Sequence, residues 1–223
     1  NEELNAEYLM IDIPLGFTVF PVLNRVRFVG GVRREDYRLE MNPFNPVTKS
    51  PFTSSVLGEG ESEIVETSID EVDYLPSYNL IIGTTQNTNI RLSHSRTVAR
   101  PQFREIAPFG FQNFYGDAMQ VGFPFLKTTD IQNYDVRLEW FTQANELIAA
   151  SLFYKEFTNP IETSIIQAAD RSYRTPQNAK SATNRGLELE LRKRLDFIPR
   201  DFGQFFVQLN TTFIRSKVVT SDS

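Results

Sequence analysis

IQNYDVRLEWF, residues 131–141, alternates without a break. In an extended strand successive side chains point to opposite sides, so Tyr134, Val136, Leu138 and Trp140 share one face and Asn133, Asp135, Arg137 and Glu139 the other. One face is apolar and the other is charged. A water-soluble sheet turns such an apolar face toward a core. A barrel embedded in lipid turns it outward and keeps the charges in its lumen. The direction in which this strand faces decides the fold.

The same two-residue period recurs along the chain and predicts eight strands. EYLMIDIPL (7–15) places Leu9, Ile11, Ile13 and Leu15 on one side, and RVRFVGGVRREDYRL (25–39) sets Val26, Phe28 and Val32 against Arg25, Arg27 and Arg33. YLPSYNLIIG (74–83) groups Tyr78, Leu80 and Ile82 with Pro76, whose missing N–H marks a strand start or a bulge. NIRLSHSRT (89–97) is the fourth strand and the opening stretch the fifth. ELIAASLFYKEF (146–157) alternates poorly and leaves its faces open. GLELELRKRL (186–195) opposes Leu187, Leu189 and Leu191 to Glu188, Glu190 and Arg192, and QFFVQLNTTFIRS (204–216) opposes Phe205, Val207, Leu209 and Phe213 to Gln204, Gln208 and Asn210.

The connectors discriminate between the two directions. They run GFTVFPVLN, a long tract 40–73, TTQNT, a long tract 98–130, TQAN, a long tract 158–185, and DFIPRDFG. Short and long alternate, so every long connector lies at one end of the sheet. Connections in soluble domains are mostly about 4–6 residues at both ends, whereas membrane barrels combine short periplasmic turns with long extracellular loops. Trp140 and Phe141 beside TQAN, and Phe197, Phe205 and Phe206 around DFIPRDFG, put aromatics at strand ends as an interfacial girdle would, although large aromatics also fill β cores. The sequence therefore predicts an all-β, antiparallel up-and-down transmembrane barrel section. A soluble all-β carbohydrate- or protein-binding module and an outer-membrane barrel enzyme remain as alternatives.

Composition removes other classes. The 223 residues carry a net charge of −5 from 23 basic and 28 acidic side chains, with no basic patch to hold nucleic acid. There is no cysteine, hence no disulfide, thiol nucleophile or thiolate metal site. The single histidine, His94, has no second histidine or cysteine to complete a metal set and reads as an ordinary polar residue of its strand. Glu188 and Glu190 form a carboxylate pair at i,i+2 spacing, which on a strand is a solvated charged face. No GxSxG, HExxH or phosphate loop occurs, so neither a catalytic residue nor a cofactor is expected. NPFNPVTKSPF (42–52) opens a long connector that its prolines stiffen.

DYLPSYNLIIGTTQNTNIRLSHSRTVARPQFREIAPF (73–109) resembles the barrel of TonB-dependent outer-membrane receptors, in the order LPS-x-NL strand, short turn, N-x-R-x-x-x-S strand, then SRT-x-ARP-x-FRE-x-AP. NYDVRLEWF (133–141) with ELIAASLFYKEFTNPIE (146–162), and TNRGLELELRKRL (183–195) with FFVQLNTTFIRSKV (205–218), fit the same family. The resemblance spans nearly the whole chain. It implies an energy-coupled importer of a bulky scarce nutrient of the siderophore, cobalamin or oligosaccharide class. It also implies a plug domain, contact with TonB, and a barrel of roughly 22 strands closed around the plug. The sequence shows neither plug nor TonB box, and SKVVTSDS reads as entry into another long loop. An internal piece, about a third of a barrel, is expected, partnered by outer-membrane lipid, its own plug and the remaining strands.

That frame orients the opening stretch: its apolar side faces lipid. Arg91, Asp135, Arg137, Glu139, Glu188, Glu190 and Arg192 then face the lumen. The connector RTVARPQFREIAPFGFQNFYGD (96–117) becomes extracellular, and its Arg100, Phe103, Arg104, Phe114 and Tyr115 are the candidate ligand contacts. Aromatic faces stack on flat ligands and guanidinium groups pair with anionic ones. Arg100, Pro101 and Phe103 lie close enough to the strand for a structural role as well.

Overall fold

The computed structural model describes residues 1–15, 25–41, 44–45, 50–51, 67–107, 110–111, 118–167, 172–195 and 205–220. In chain order the elements are β1 (Glu2–Leu15), β2 (Arg25–Met41), β3 (Phe44–Asn45), β4 (Ser50–Pro51), β5 (Thr67–Gly83), β6 (Thr88–Ala99), α1 (Phe103–Ile106), β7 (Gly110–Phe111) and β8 (Met119–Val121). They continue with β9 (Thr129–Trp140), β10 (Leu147–Thr158), β11 (Ile161–Gln167), β12 (Ser172–Asn178), β13 (Ser181–Arg194) and β14 (Phe206–Val219). The eight long strands form one sheet in the order β1-β2-β5-β6-β9-β10-β13-β14. Every pairing within it is antiparallel, so the sheet is an up-and-down meander.

Register carries the alternation of single strands into two continuous faces, because directly paired residues share a side. Leu92 pairs with Val136, Val136 with Leu152, Leu152 with Leu187, and Leu187 with Phe213, giving an unbroken apolar row over five strands. The next row toward the long connectors is aromatic: Tyr78, His94, Tyr134 and Tyr154 stand side by side. Their neighbouring ring centroids are 6.3, 4.6 and 6.3 Å apart. His94 is thus a member of an aromatic girdle. The faces of β10, left open by its sequence, are assigned by the same register: Ile148, Ala150, Leu152 and Tyr154 lie on the apolar side, Ser151, Phe153 and Phe157 on the charged side.

Several strands exceed their predicted bounds. β5 begins at Thr67, seating Pro76 inside a strand rather than at its start; its ladder to β6 ends at Ser77↔Ser95, next to the missing N–H. The Arg96 guanidinium donates instead to the Tyr74 carbonyl at 2.9 Å. β13 begins at Ser181, and the connector expected over 158–185 contains the hairpin β11–β12. With β8 and β7 this hairpin forms a second sheet, order β11-β12-β8-β7, in which β12 and β8 run parallel. Such segments escape a search for apolar alternation because SIIQ and SYRTPQN have no face that needs a uniform solvent.

The hydrophobic core sits at the long-connector end, on the charged side of the sheet. Tyr37, Leu39 and Met41 of β2 pack with Ile106, Ala107 and Leu126, bordered by Ile69, Phe123 and Ile161. Gly122 admits this packing, since a Cβ there would lie 2.1 Å from the Ala107 carbonyl oxygen. Gly186 does the same between strands: the Phe153 ring covers it, and a Cβ would meet the Phe213 carbonyl oxygen at 2.3 Å.

The short-turn end is held by backbone hydrogen bonds and by polar side chains. Thr84 N–H donates to the Thr88 carbonyl at 3.0 Å, and Asn145 turns the β9–β10 connection at φ 67°. Beside it Glu146 is only 1% exposed. Its carboxylate accepts hydrogen bonds from Thr142 Oγ1 at 2.5 Å, Lys193 Nζ at 2.7 Å and the Arg194 N–H at 3.2 Å. These donors, Lys193 first, pull its pKa down to about 2.

Candidate functional site

Two arrays of charge occupy the charged side, one along the wall and one at the long-connector end. The wall array starts from a register conflict. Arg91 and Arg137 are directly opposed, and Glu139, two residues along β9, lies between them. It accepts from Arg91 Nε at 2.8 Å and from Arg137 Nε at 3.0 Å. On the other side Arg137 faces Ser151, and this small residue lets the guanidinium reach across β10. Nη1 donates to Ser151 Oγ at 3.0 Å and Nη2 to Glu190 Oε2 on β13 at 2.7 Å. Arg192 closes the array 3.6 Å from Glu190. Arg91, Arg137, Glu139, Glu190 and Arg192 are therefore one connected network on three strands, β6, β9 and β13, that crosses β10 at Ser151. Asp135 and Glu188 share its face but join no ion pair among the described residues.

The second array centres on Arg100, just beyond β6. Nη1 donates to Glu35 at 2.7 Å and Nη2 to Asp73 at 2.6 Å, while the guanidinium carbon lies 4.6 Å from the centre of the Tyr37 ring. Burial works against the Arg100 charge, but the two carboxylates hold its pKa above the ordinary value. Glu35 also accepts from Arg33 at 2.6 Å. Fixed at this point, the chain turns through Pro101 into α1, where Gln102 N–H donates to Glu105 at 2.7 Å in a capping box. Ile106 and Ala107 then enter the core, and the returning segment is tied by Phe123 N–H to the Glu105 carbonyl at 2.6 Å. The ARP-x-FRE-x-AP pattern is thus a device that folds a connector inward across the sheet.

Around α1 lie two cavities. One, of 380 Å³, lies between α1 and the wall and is lined by Gln102, Glu105, Ile131, Phe157, Glu162 and Asn184, with Arg100 at its margin. The other, of 250 Å³, is polar: Gln102, Arg104, Glu105, Gln120, Thr163 and Arg174 line it. They share Gln102 and Glu105. Asn178 steadies the second sheet beside them, accepting from Lys127 N–H at 2.7 Å and donating to the Lys127 and Asn159 carbonyls at 2.9 and 2.8 Å. Amides, carboxylates and guanidinium groups of this kind offer hydrogen-bond donors and acceptors to a polar ligand. Among the described residues no group of three or more His, Asp or Glu is placed to hold a metal ion.

The candidate ligand residues fall in different places. Arg104 lines the polar cavity, Phe103 is 58% exposed beside it, and Arg100 is engaged by Glu35 and Asp73. Phe114 and Tyr115 lie outside the described residues. Sequence reasoning did not single out Gln102, Glu105, Glu162 or Arg174, nor the partners Glu35 and Asp73. Each acquires its neighbours through cross-strand register or loop folding, and neither is written in local spacing.

A family model described as TonB dependent receptor-like, beta-barrel, matches residues 5–223. The chain belongs to this family. Barrels of TonB-dependent receptors reside in the Gram-negative outer membrane, and the eight-stranded sheet is a section of such a barrel. Among solved structures, the copper transporter OprC aligns at TM-score 0.66 and 13% identity, covering 97% of this chain and 30% of that one. The hemophore receptor HasR of Serratia marcescens, solved as a double mutant with its hemophore HasA and heme, aligns at TM-score 0.60 and 13% identity, over 85% of this chain and 32% of that one. The siderophore receptor PirA from Pseudomonas aeruginosa aligns at TM-score 0.56 and 14% identity, over 97% and 44%. The chain thus spans less than half of each of these receptors, and at such identities the likeness concerns the fold. No curated protein shows significant sequence similarity to it.

Proposed function

We propose that these residues form part of the wall and mouth of a TonB-dependent receptor that imports a bulky nutrient of the siderophore, cobalamin or oligosaccharide class across the Gram-negative outer membrane. The apolar face meets outer-membrane lipid. The charged face lines the lumen and meets the receptor's own plug domain and remaining strands, while TonB engages another part of the receptor. The long connectors are extracellular. The ligand enters over Phe103, Phe114 and Tyr115 and meets Arg104, Glu105 and Arg174 at the mouth; the chain performs no covalent chemistry.

One observation carries this reading. Trp140 is 50% exposed while its neighbour Glu139, on the opposite face, is 6% exposed. Along β9 from Tyr134 to Trp140 the apolar side chains are exposed and the polar and charged ones half-buried or buried, the inverse of a soluble sheet and the arrangement of a barrel with lipid outside. The test uses the full-length receptor in cells, supplied in turn with radiolabelled ferric siderophores, cobalamin and maltooligosaccharides. Uptake of one class, abolished by deleting TonB, is expected. TonB-independent uptake overturns the reading. Orientation is checked with an impermeant maleimide: Ser55→Cys reacts in intact cells and Ala144→Cys does not.

A further inference from the structure

The positive charge at the mouth is committed before any ligand arrives. Arg100 borders the 380 Å³ cavity, yet its two Nη groups donate to Glu35 and Asp73 and its Nε is buried. Arg104 and Arg174, which line the polar cavity alongside, have interactions of their own. The acids are less occupied. Glu105 accepts the Gln102 N–H through one oxygen, and Glu162 is exposed with no ion pair among the described residues. The larger cavity is therefore bordered by an excess of negative charge and by no cation open to a ligand. Its uncharged polar groups are the amides of Gln102 and Asn184, and Ile131 and Phe157 supply apolar surface.

Below the cavity the wall continues in the same chemistry. Ser77, Ser95, Asn133, Lys155 and Asn184 form one registered row across β5, β6, β9, β10 and β13, and Ser93 and Asp135 lie in the next. Lys155 and Asp135 balance in charge, and the others are hydroxyls and amides. Each of these strands has both of its neighbours in the sheet, so the pattern does not arise at an edge. An anion entering here gives up its water and meets carboxylates without a free cation to replace it. An uncharged ligand avoids that cost, but it must answer amides and carboxylates with donors and acceptors of its own. Sugar hydroxyls both donate and accept, and the C–H face of a pyranose packs on apolar side chains such as Ile131 and Phe157. At 380 Å³ the cavity admits one unit of a chain rather than a corrin or a whole ferric chelate.

We propose that the ligand of this mouth is an uncharged oligosaccharide, one sugar unit of which occupies the cavity between α1 and the wall. Gln102, Asn184 and Glu162 bond its hydroxyls, and Glu105 and Glu162 turn away anionic ligands. The inference rests on the reading of the chain as the mouth of an importing receptor, and it selects one of the three substrate classes named for it.

The experiment uses full-length receptor in detergent, applied to an array of neutral oligosaccharides and their uronic-acid counterparts, with the affinity of each hit measured by titration calorimetry. Ferric enterobactin, ferrichrome and cyanocobalamin are titrated in parallel. A neutral oligosaccharide binds, its uronate form binds about tenfold more weakly or worse, and none of the three other compounds competes. Asn184→Ala weakens binding of the neutral sugar by about tenfold. Glu162→Gln, an exposed change that keeps the hydrogen-bonding capacity, leaves the neutral sugar bound and narrows the discrimination against the uronate to about threefold. The proposal is overturned if no neutral oligosaccharide binds, if the uronate binds equally well, or if either variant behaves as wild type. TonB-dependent uptake of a ferric chelate or of cobalamin overturns it too, while leaving the receptor reading intact; uptake that persists without TonB sinks the receptor reading itself.

Discussion

The two faces of the eight-stranded sheet are made by the same strands yet obey opposite rules. On the apolar face, side chains are large and uncovered, as at Leu152, 60% exposed. On the charged face, Arg137 donates to Ser151 of β10, and arginines reach carboxylates one and two strands away. The first face is specified by hydropathy alone and tolerates any apolar residue. The second is specified by geometry, since each guanidinium needs a partner at a given register. A change that ignores this distinction has very different costs on the two sides.

The largest effect is expected from Val136→Arg. Val136 lies between the Tyr134 and Trp140 rows of the apolar face, which the proposed orientation sets near mid-depth of the lipid. An arginine there costs about 2–4 kcal/mol of folding stability in a bilayer, read from urea titrations of refolding into vesicles. The neighbouring Arg137→Val, on the other face, leaves the apolar belt intact and changes the lumen. If Arg137→Val impairs membrane insertion more than Val136→Arg, the faces are assigned the wrong way round.

Next comes Arg100→Leu, which leaves Glu35 and Asp73 facing each other without their shared cation. Arg33 and Arg96, at 2.6 and 3.7 Å, compensate in part, so the cost is about 2–3 kcal/mol rather than the full penalty of a dry, unpaired charge. Because the same arginine starts the turn into α1, hydrogen exchange at Ile106 and Ala107 should accelerate well above that of β9. Unchanged protection there would detach the loop core from the Arg100 clamp.

The contrast also explains what could be read in advance. Leu, Ile, Val and Tyr at every second residue declare the apolar face, because one solvent imposes one chemistry on every row; the long strands, and the sides of all but β10, were legible for that reason. Partners on the charged face were not. Nothing near Arg100 in the chain names Glu35 or Asp73, which lie on other strands and meet it only once two registers are set. β11 and β12 escaped notice because they stand on neither lipid nor a deep core. The mouth cavities, built from α1, β8, β12 and the wall, depend on how one connector folds against another.

A smaller effect, at the short-turn end, tests whether polar specification extends beyond the wall. Glu146 has an ordinary pKa of 4.5 when unfolded and about 2 when folded, so the unfolded chain binds the proton more readily. Its contribution to stability is complete above about pH 5 and falls away as pH drops toward 2. Thermal unfolding in detergent should therefore show wild type and Glu146→Gln separated at pH 7 and converging near pH 2. A separation that persists in acid would assign the role of Glu146 to its shape and neutral hydrogen bonds.

The smallest effect is expected at the end of the wall network, and it sharpens the comparison by asking how wet the charged face is. Arg192 lies 3.6 Å from Glu190 with 44% of its side chain exposed, whereas Arg137, 27% exposed, meets the same glutamate at 2.7 Å. Solvent screens the looser contact, so Arg192→Gln should change stability by no more than about 0.5 kcal/mol. Removing Arg137 leaves both Glu139 and Glu190 short of a donor and should cost several times as much. Double-mutant cycles separate the two: coupling of Arg192 to Glu190 near zero, coupling of Arg137 to Glu190 about 1–2 kcal/mol, measured in the full-length receptor. Equal couplings would mean that the wall at Arg192 is as dry as at Arg137, as when a packed plug covers both. Raising the salt concentration decides that case, since it weakens a wet pair and leaves a covered one unchanged.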